Sequence, residues 1–272
     1  MLLAIDIGNT QTALGLFNQQ DLVASWRMPT DHTFTADEIH MRLLGYFQLK
    51  NLSLDCIDAM ALAGVVPQIR REWLCVINRL VKDNFVLVGP QTQCVIKTDV
   101  SDPTQVGADR LANAVAAETF YGAPAIVVDF GTATNMDVVR ADGAYIGGAI
   151  APGIKISFDA LTARAAKLSS VPLEAPKTAI GLETPHALQV GTVMGAAAMA
   201  EGLVARIQEE LIEKNRQVLK PSDSKSMLPA KVIATGGLAS VVAQCTDVFD
   251  VVDSQLTLKG ICEIYRRMSL QN

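Results

Sequence analysis

The chain has 272 residues, which is enough for one or two domains. Half of the residues are hydrophobic and 19% are charged, which excludes intrinsic disorder as a description of the whole chain. The net charge of −5 argues against a general binder of nucleic-acid backbones, and an aromatic content of 5% leaves few side chains on which bases could stack. We expect a cytoplasmic α/β protein with no nucleic-acid partner and no membrane partner.

Cysteine and hydropathy patterns point to the same class of protein. The 5 cysteines are scattered and form no Cys-x-x-Cys pair, so neither a disulfide framework nor a zinc site is predicted. Asp6 comes too early for a signal peptide, and we expect no apolar run to approach the roughly 20 residues that span a bilayer. The alanine-rich stretch near 193–200 is interrupted by Glu201 and is predicted to be a buried helix.

Strand and helix signals alternate through the first half of the chain. Apolar runs predict strands at 2–6, 14–17, 22–26, 59–66 and 85–88. The run Thr35-Ala36-Asp37-Glu38 has the capping and acidic residues of a helix start, and another helix is predicted between Gln68 and Lys82. This alternation predicts a largely buried sheet that is mixed or parallel.

The second half of the chain repeats one motif of the first. Predicted elements are helices at 107–120, 184–214 and 258–268, strands at 125–129 and 232–234, a glycine-rich turn at 145–154 and a polar loop at 214–229. An apolar strand followed by Asp-x-Gly and a nearby threonine occurs at Asp6 and again at Asp129, 123 residues later. Two copies at the same strand-end position predict a duplicated fold, with halves at 1–115 and 116–272.

The first candidate site follows the first strand. Asp6-Ile7-Gly8-Asn9-Thr10-Gln11-Thr12 places a carboxylate at the strand end, with a glycine and two hydroxyl side chains in the turn. Glycine allows the backbone to approach a phosphate closely, and hydroxyls and amides can donate hydrogen bonds to its oxygens. A carboxylate beside phosphates repels them unless a divalent cation lies between, so Mg2+ is the expected partner of Asp6. The simpler interpretation is a hairpin turn with a capping aspartate.

The second copy favours the phosphate interpretation. Asp129-Phe130-Gly131-Thr132-Ala133-Thr134 follows another apolar strand. Two such loops facing each other across a cleft would hold a nucleoside triphosphate, without the Walker A or Gly-x-Gly-x-x-Gly pattern. Thr235-Gly236-Gly237 adds a third glycine turn, which either supports an adenosine or simply joins a strand to a helix.

An acidic and a basic residue follow Gly107-Ala108 at the start of a predicted helix. The guanidinium fork of Arg110 is suited to bind a substrate carboxylate. Asp109 beside it could accept the proton of a substrate hydroxyl, since phosphoryl transfer asks for positioning more than for a strong base. An aspartate in a first helical turn is also a common cap, so a structural role stays open.

Four motifs together resemble one family. Asp6-Ile7-Gly8-Asn9-Thr10, Gly107-Ala108-Asp109-Arg110, Asp129-Phe130-Gly131-Thr132-Ala133-Thr134 and Gly147-Gly148-Ala149-Ile150-Ala151-Pro152-Gly153 occur in the order and spacing of type III pantothenate kinases. The resemblance covers essentially the whole chain. It implies a duplicated actin-like ATPase fold, with two mixed-sheet domains and the active site in the cleft between them. It also implies that ATP phosphorylates pantothenate to 4'-phosphopantothenate, the first step of coenzyme A biosynthesis.

The resemblance implies a role for each matching residue. The first phosphate loop would be Asp6-Ile7-Gly8-Asn9-Thr10-Gln11-Thr12-Ala13, and Thr132 would lie in the second. Asp109 would be the general base, and the residues in contact with pantothenate would be Gly107, Ala108, Asp109, Arg110 and Thr184. Asp129 would hold a monovalent cation, K+ or NH4+. The family is a homodimer, and the alanine-rich helix near 184–214 is the predicted interface.

Two positions depart from the family pattern. Val100-Ser101-Asp102-Pro103 stands where the family commonly has an aromatic residue in a Tyr-Asp-Asn-Pro context, so Val100 would contact the substrate with apolar area only. Asn135-Met136 follows Thr134 where Thr-Phe is usual. Neither change removes a phosphate-binding, metal-binding or base group.

Two other functions stay open. One is another kinase of the superfamily to which type III pantothenate kinases belong, that of acetate kinase, sugar kinases, heat-shock ATPases and actin. It would phosphorylate another small alcohol with a carboxylate, which the change at Val100 favours. The other is a non-catalytic regulator on the same fold. The presence of Asp6, Asp109, Arg110 and Asp129 argues against a regulator, because such a module has no need of them.

Overall fold

In the part of the chain that the structure describes, the strands form two sheets of five strands each. In the computed structural model, residues 1–64, 67–89, 92, 95–165, 170–220 and 228–270 are described, apart from the side chains of residues 67 and 68. The strands are β1 (Leu2–Ile7), β2 (Gln11–Asn18), β3 (Asp21–Pro29), β4 (Ala59–Gly64), β5 (Phe85–Val88), β6 (Ala125–Phe130), β7 (Ala133–Val139), β8 (Tyr145–Pro152), β9 (Lys231–Thr235) and β10 (Val251–Val252).

Helices flank these strands along the chain. They are α1 (Ala36–Gln48), α2 (Pro67–Leu80), α3 (Ala108–Tyr121), α4 (Ile154–Arg164), α5 (Thr184–Gln189), α6 (Gly195–Val218), α7 (Ala239–Val242) and α8 (Leu256–Ser269). A π-helical turn, Val190–Met194, joins α5 to α6, so that one continuous helix runs over Thr184–Val218.

The chain divides into two units. Unit 1 consists of Met1–Lys97, Ser101–Ala116 and Leu256–Asn272, and unit 2 consists of Thr98–Val100 and Ala117–Gln255. By its contacts, α8 at the end of the chain therefore belongs with the first strands. The division by sequence into 1–115 and 116–272 stays a prediction about the duplicated halves.

Unit 1 is built on a mixed sheet in the order β3-β2-β1-β4-β5. The central strand β1 pairs antiparallel with β2 and parallel with β4. Every residue of β1 is buried except Asp6, which is half-buried. A strand with apolar residues on both faces is expected where both faces of the sheet are covered.

The α1 helix covers one face of this sheet, and its sequence explains why it forms there. Thr35 and Glu38 build a capping box, in which each side chain accepts a hydrogen bond from the backbone N–H of the other. Ile39, Leu43 and Phe47 recur at helical spacing and pack into one core with residues of α2 and β1. The predicted helix start at Thr35 is therefore confirmed.

Unit 2 repeats the topology of unit 1, because its sheet order β8-β7-β6-β9-β10 corresponds to β3-β2-β1-β4-β5. The strand β6 pairs antiparallel with β7 and parallel with β9, as β1 does with β2 and β4. Its residues are again all buried except one half-buried carboxylate, Asp129. The predicted α/β class and the duplicated arrangement are confirmed by this match.

A buried carboxylate anchors α8 in unit 1. Glu263 is 1% exposed and accepts hydrogen bonds from Arg266 Nε at 2.7 Å and from Arg267 Nε at 2.8 Å. Arg267 Nη1 also donates to the carbonyl of Val95 over 2.7 Å. Burial raises the pKa of Glu263, but the two guanidinium groups outweigh burial and hold that pKa below its usual value.

Two predicted elements differ from the structure. The segment predicted as a glycine-rich turn at 145–154 is the edge strand β8, which pairs antiparallel with β7. The pairing shifts register between Asp137 and Val139, and Gly147 has a φ of 103°, so the strand accommodates its glycines through an irregularity. The α6 helix runs to Val218 and takes in the start of the loop predicted at 214–229.

Parts of two predictions lie outside the described residues. The predicted loop at 214–229 includes 221–227, and the predicted strand at 59–66 includes 65 and 66. Within the described part, β4 ends at Gly64. Cys94 also lies outside the described residues.

The continuous helix over Thr184–Val218 is longer and more apolar than the sequence suggested. Among the described residues, it is the one helix that is long and apolar enough to cross a membrane by length and composition. The expectation that no apolar run approaches this length is therefore wrong. The helix itself is only weak evidence of a membrane span, because core helices of other proteins pass the same test. Here α6 packs into the core of unit 2 through Ala196, Ala200 and Val204. Only 33% of its most apolar window is buried, so the helix is buried on one face rather than all round.

Replacing Glu263 with glutamine tests the anchor of α8. Glutamine keeps the shape but loses the charge that two guanidinium groups bind, so we expect the free energy of unfolding to fall by about 2 kcal/mol. Because the pKa of Glu263 in the folded protein is below its usual value, its stabilisation is complete above the usual glutamate pKa and is lost as pH falls through the folded-state pKa. Urea denaturation should show the difference between wild type and Glu263→Gln shrinking over that pH range.

Glu213→Gln is the matched control. Glu213 lies on the surface of α6 with its side chain 65% exposed and pairs with Arg216 at 3.8 Å. Removing an exposed pair of this kind should change the free energy of unfolding by less than about 0.5 kcal/mol. Equal losses of stability in the two variants would contradict the anchoring role of Glu263.

Candidate active site

The loop between β1 and β2 is a tight turn at the end of a buried strand. The N–H of Gly8 donates a hydrogen bond to the carbonyl of Gln11 over 3.1 Å. A Cβ at Gly8 would lie 3.0 Å from that same carbonyl oxygen, so the turn closes most easily around a glycine. Asn9 and Thr10 are exposed at the tip, and Asp6 lies half-buried at the base. The turn therefore presents backbone and polar side chains beside a carboxylate.

Some residues of the predicted loop support it from beneath. Ile7 is buried, and Thr12 is only 1% exposed. The hydroxyl of Thr12 shares a hydrogen bond of 2.9 Å with the hydroxyl of Thr30. The N–H of Thr30 also donates to the carbonyl of Thr10 over 2.9 Å. Thr30, which the sequence did not single out, thus fixes the loop from the end of β3.

The loop between β6 and β7 is the second copy of this arrangement. It consists of Gly131 and Thr132, both exposed, and the N–H of Gly131 donates to the carbonyl of Ala133 over 3.0 Å. Asp129 precedes it in the position that Asp6 has before the first loop. The two predicted phosphate loops therefore both lie at the end of a buried central strand.

A third glycine turn lies against Asp129. Gly236 follows β9 and has a φ of 92°, in the region that favours glycine. A Cβ there would lie 2.5 Å from Asp129 Oδ1 and 2.6 Å from the carbonyl carbon of Phe130. The carboxylate of Asp129 therefore lies between the turns of Gly131 and Gly236, and any side chain at 236 would displace it.

Gly153 brings the start of α4 against the second loop. A Cβ at Gly153 would collide with the carbonyl oxygen of Thr132 and would lie 2.8 Å from the carbonyl oxygen of Gly131. The sequence marked Gly153 only as part of a glycine-rich stretch. Its role needs the fold, because residues 132 and 153 meet only through the pairing of β7 with β8.

The residues predicted to contact pantothenate lie in two places. Gly107 precedes α3, Ala108 and Asp109 are its first two residues, and Arg110 follows. Asp109 and Arg110 are both half-buried, and a Cβ at Gly107 would lie 2.5 Å from Asp109 Oδ1. The carboxylate of Asp109 therefore turns back over the glycine that precedes the helix.

The other two predicted contacts belong to unit 2. Thr184 is the first residue of α5 and is exposed. Val100 is half-buried, and its Cγ1 lies 3.8 Å from the position that a Cβ at Gly147 would take. The structure thus places Asp6 and Asp109 in unit 1, and Val100, Asp129, Thr132 and Thr184 in unit 2.

The donor atoms available to a cation come from separate carboxylates. The described residues hold no group of three or more histidine, cysteine or acidic side chains that could enclose a metal ion. Asp6 and Asp129 each stand at a strand end beside backbone and hydroxyl groups. Oxygen donors of this kind suit Mg2+ or a monovalent cation better than a thiophilic metal.

The sequence matches one known family over most of its length. Residues 2–206 match the family model described as type III pantothenate kinase. The chain belongs to the type III pantothenate kinase family. A type III pantothenate kinase from Thermomicrobium roseum is 43% identical over 268 residues, with 98% of each chain covered. One from Rubrobacter xylanophilus is 42% identical, with 97% of each covered.

Solved structures of other proteins share the fold of this type III pantothenate kinase family member. A Baf family transcriptional activator from Campylobacter jejuni has a TM-score of 0.59 at 17% identity, covering 98% of this chain and 99% of that one. Component A of (R)-2-hydroxyglutaryl-CoA dehydratase from Acidaminococcus fermentans has a TM-score of 0.52 at 12% identity, covering 100% and 99%. With the repeated sheet topology, these likenesses confirm the predicted duplicated actin-like ATPase fold.

Replacing Gly153 with alanine tests the close approach of α4 to the second loop. The added methyl group has no room beside the carbonyl of Thr132, so the loop or the helix must move. We expect a loss of about 1–3 kcal/mol in the free energy of unfolding, measured by denaturant or heat. Gly45→Ala on α1 is the control, since nothing lies within 4 Å of a Cβ there, and it should be neutral or stabilising. A neutral Gly153→Ala would contradict the contact.

Proposed function

We propose that this protein transfers the γ-phosphoryl group of ATP to the terminal hydroxyl of pantothenate, giving 4'-phosphopantothenate in the first step of coenzyme A biosynthesis. One observation carries the proposal. This member of the type III pantothenate kinase family builds the same carboxylate-and-glycine loop at the ends of β1 and β6. Phosphoryl transfer is catalysed mainly by positioning and by stabilisation of charge, and loops of this kind supply both.

The β1–β2 loop, residues 6–13, is the proposed first phosphate-binding loop, and Thr132 belongs to the second. Gly8 closes the first turn tightly, and the polar tip at Asn9 and Thr10 is exposed to a ligand. The carboxylate of Asp6 suits Mg2+, which commonly takes one or two carboxylates and completes its shell with water and phosphate oxygens. Such an ion, when bound, would neutralise charge that develops on the phosphates.

The start of α3 is the proposed contact for pantothenate. Asp109, whose carboxylate turns back over Gly107, would accept the proton of the substrate hydroxyl as the oxygen attacks the γ-phosphorus. Arg110 beside it would bind the pantothenate carboxylate through two parallel hydrogen bonds. Val100 and Thr184 are proposed as further contacts.

Asp129 is the proposed ligand of a monovalent cation, K+ or NH4+. Its half-buried carboxylate lies between the glycine turns at Gly131 and Gly236, so backbone atoms border it on two sides. A single carboxylate among backbone groups suits a cation that takes oxygen ligands without strict geometry. The cation, when bound, would offset negative charge beside the phosphates.

A coupled assay of ADP release tests the proposed function. Purified protein should release ADP only when ATP, Mg2+ and pantothenate are all present, and K+ should raise the rate above that in Na+. Mass spectrometry should find one phosphoryl group added to pantothenate. Folded protein that turns over no substrate would support the non-catalytic alternative instead. Much faster turnover of another hydroxy acid would support the other kinase, which the apolar Val100 favours.

Replacing Asp109 with asparagine tests the general base. Asparagine keeps the shape of the side chain but cannot take up the hydroxyl proton, so we expect kcat to fall by about 10²- to 10⁴-fold. The KM for ATP should change little, because the variant leaves the phosphate loops intact. Initial rates at varied ATP and pantothenate measure both constants.

Asp37→Asn is the control for this change. Asp37 is also the second residue of a helix that begins with alanine, and its exposed carboxylate binds Arg79. If the aspartate at this helix position has only a structural role, the two variants should behave alike. Full activity in Asp109→Asn would contradict the assignment of the base.

We also propose that the protein is a homodimer that pairs through the helix over Thr184–Val218. Its exposed face carries a stripe of small residues at helical spacing, Ala187, Gly191, Gly195, Ala198 and Ala205, with the half-buried Gly202 in the same row. Two thirds of the most apolar window remains unburied in a single chain. Small residues allow two helix backbones to approach closely, so a second copy of this helix can cover the stripe.

Light scattering after size-exclusion chromatography tests the dimer. The mass should be about twice the 29.1 kDa of one chain. Gly191→Arg should lower it to that of one chain, because a long charged side chain would keep the stripes apart. Gly45→Arg on α1 is the matched control, since a Cβ at either glycine meets nothing within 4 Å in one chain. A monomeric wild type, or equal effects of the two variants, would contradict this interface.

A further inference from the structure

A three-residue segment of the chain leaves unit 1 and joins unit 2. The residues before 98 and after 100 belong to unit 1, whereas Thr98–Val100 belongs to unit 2. Val100 ends this segment and is one of the residues proposed to contact the substrate. Whatever holds the segment in place therefore also sets the position of Val100.

The backbone of the segment is bound to the start of β8. Thr98 forms an isolated parallel bridge with Tyr145, and the N–H of Asp99 donates to the carbonyl of Tyr145 over 2.8 Å. Tyr145 is 1% exposed, and its hydroxyl donates to Asp137 Oδ1 over 3.2 Å. The segment is thus bound to the backbone of a residue whose own side chain is buried and hydrogen-bonded within unit 2.

An ion pair adds to this backbone attachment. Arg140 Nη1 donates to Asp99 Oδ2 over 2.6 Å. The other side of the same guanidinium is bound by Asp142, which accepts from Nε at 2.9 Å and from Nη2 at 3.0 Å. The side chain of Arg140 is 6% exposed, whereas that of Asp99 is 60% exposed.

The geometry of Arg140 makes this pair stronger than its exposed partner suggests. Exposed ion pairs are weak partly because two flexible side chains must be ordered to form them. Here Asp142 already holds the guanidinium in one orientation, so only the short side chain of Asp99 has to be fixed. The burial of Arg140 also reduces the screening of its charge by water.

Val100 follows Asp99 directly and faces a glycine. Gly147 of β8 has a φ of 103°, and a Cβ there would lie 3.8 Å from Val100 Cγ1. The segment that ends in Val100 and the strand β8 that Val100 faces are thus bound to each other within a few residues of this contact. A shift of Asp99 would move Val100 along the surface of β8.

We propose that Arg140 and Asp99 form a positioning pair, which fixes Val100 against β8 and so sets the affinity of the enzyme for its pantothenate substrate. Neither residue has to touch the substrate. This inference rests on the proposed function, because it assigns to Val100 a wall of the substrate site. It predicts an effect on substrate binding and not on the chemical step.

Asp99→Asn tests the pair while leaving the bonds between Arg140 and Asp142 in place. We expect the KM for pantothenate to rise about fivefold, with kcat and the KM for ATP changed by less than about twofold. Hydrogen–deuterium exchange should be faster in the peptide that covers 98–100. Asp159→Asn is the control, because Asp159 is a similarly exposed carboxylate of unit 2, 55% exposed and paired with Lys155 on α4. It should leave both measurements unchanged.

The outcomes separate this inference from the proposed function. An active wild type with an unchanged KM for pantothenate in Asp99→Asn would overturn the positioning role alone. A fall in kcat and in melting temperature, together with a rise in the KM values for both substrates, would overturn it in favour of a general structural role. Exchange at 98–100 needs no substrate, so unchanged exchange would overturn the anchoring itself. A wild type that does not phosphorylate pantothenate would overturn the proposed function, and the inference about affinity with it.

Discussion

The site depends on one constraint, which is that a strand buried on both faces can hold a charge only near its end. Burying an unpaired carboxylate is costly, so the interior positions of β1 and β6 are apolar. Asp6 and Asp129 are the half-buried exceptions, each at the last position but one. An antiparallel neighbour follows each strand through a short turn, and this turn brings glycine and hydroxyl groups beside the carboxylate. The sheet topology thus builds the same polar corner twice.

The two corners differ in what supports them. The first is supported by Thr30, whose hydroxyl and backbone N–H bind Thr12 and Thr10. The second is closed by two glycines from other elements, Gly153 and Gly236, which leave no space for a side chain. This difference is consistent with two proposed tasks, a phosphate loop beside Mg2+ at Asp6 and a confined site for a monovalent cation at Asp129.

Much of the fold could be predicted from the sequence, because its signals are local. Apolar runs marked the central strands, and the capping box at Thr35 marked the start of α1. The edge strand β8 was missed, since Gly147 and Gly148 are typical of turns and an edge strand with a register shift tolerates them. The repeated motif also marked Asp6 and Asp129. The contacts of Thr30, Gly153 and Arg140 could not be predicted, because each joins residues that only the folded sheets bring together.

We propose that the two carboxylates in equivalent positions, Asp6 and Asp129, bind different cations. The most direct test is the initial rate of ADP release against K+ concentration for wild type, Asp6→Asn and Asp129→Asn. We predict that Asp129→Asn shifts or abolishes the K+ response at saturating Mg2+ and ATP. Asp6→Asn should keep the K+ concentration for half-activation and instead raise the Mg2+ and ATP needed. The same K+ shift in both variants, or an unchanged K+ response in Asp129→Asn, would contradict the claim.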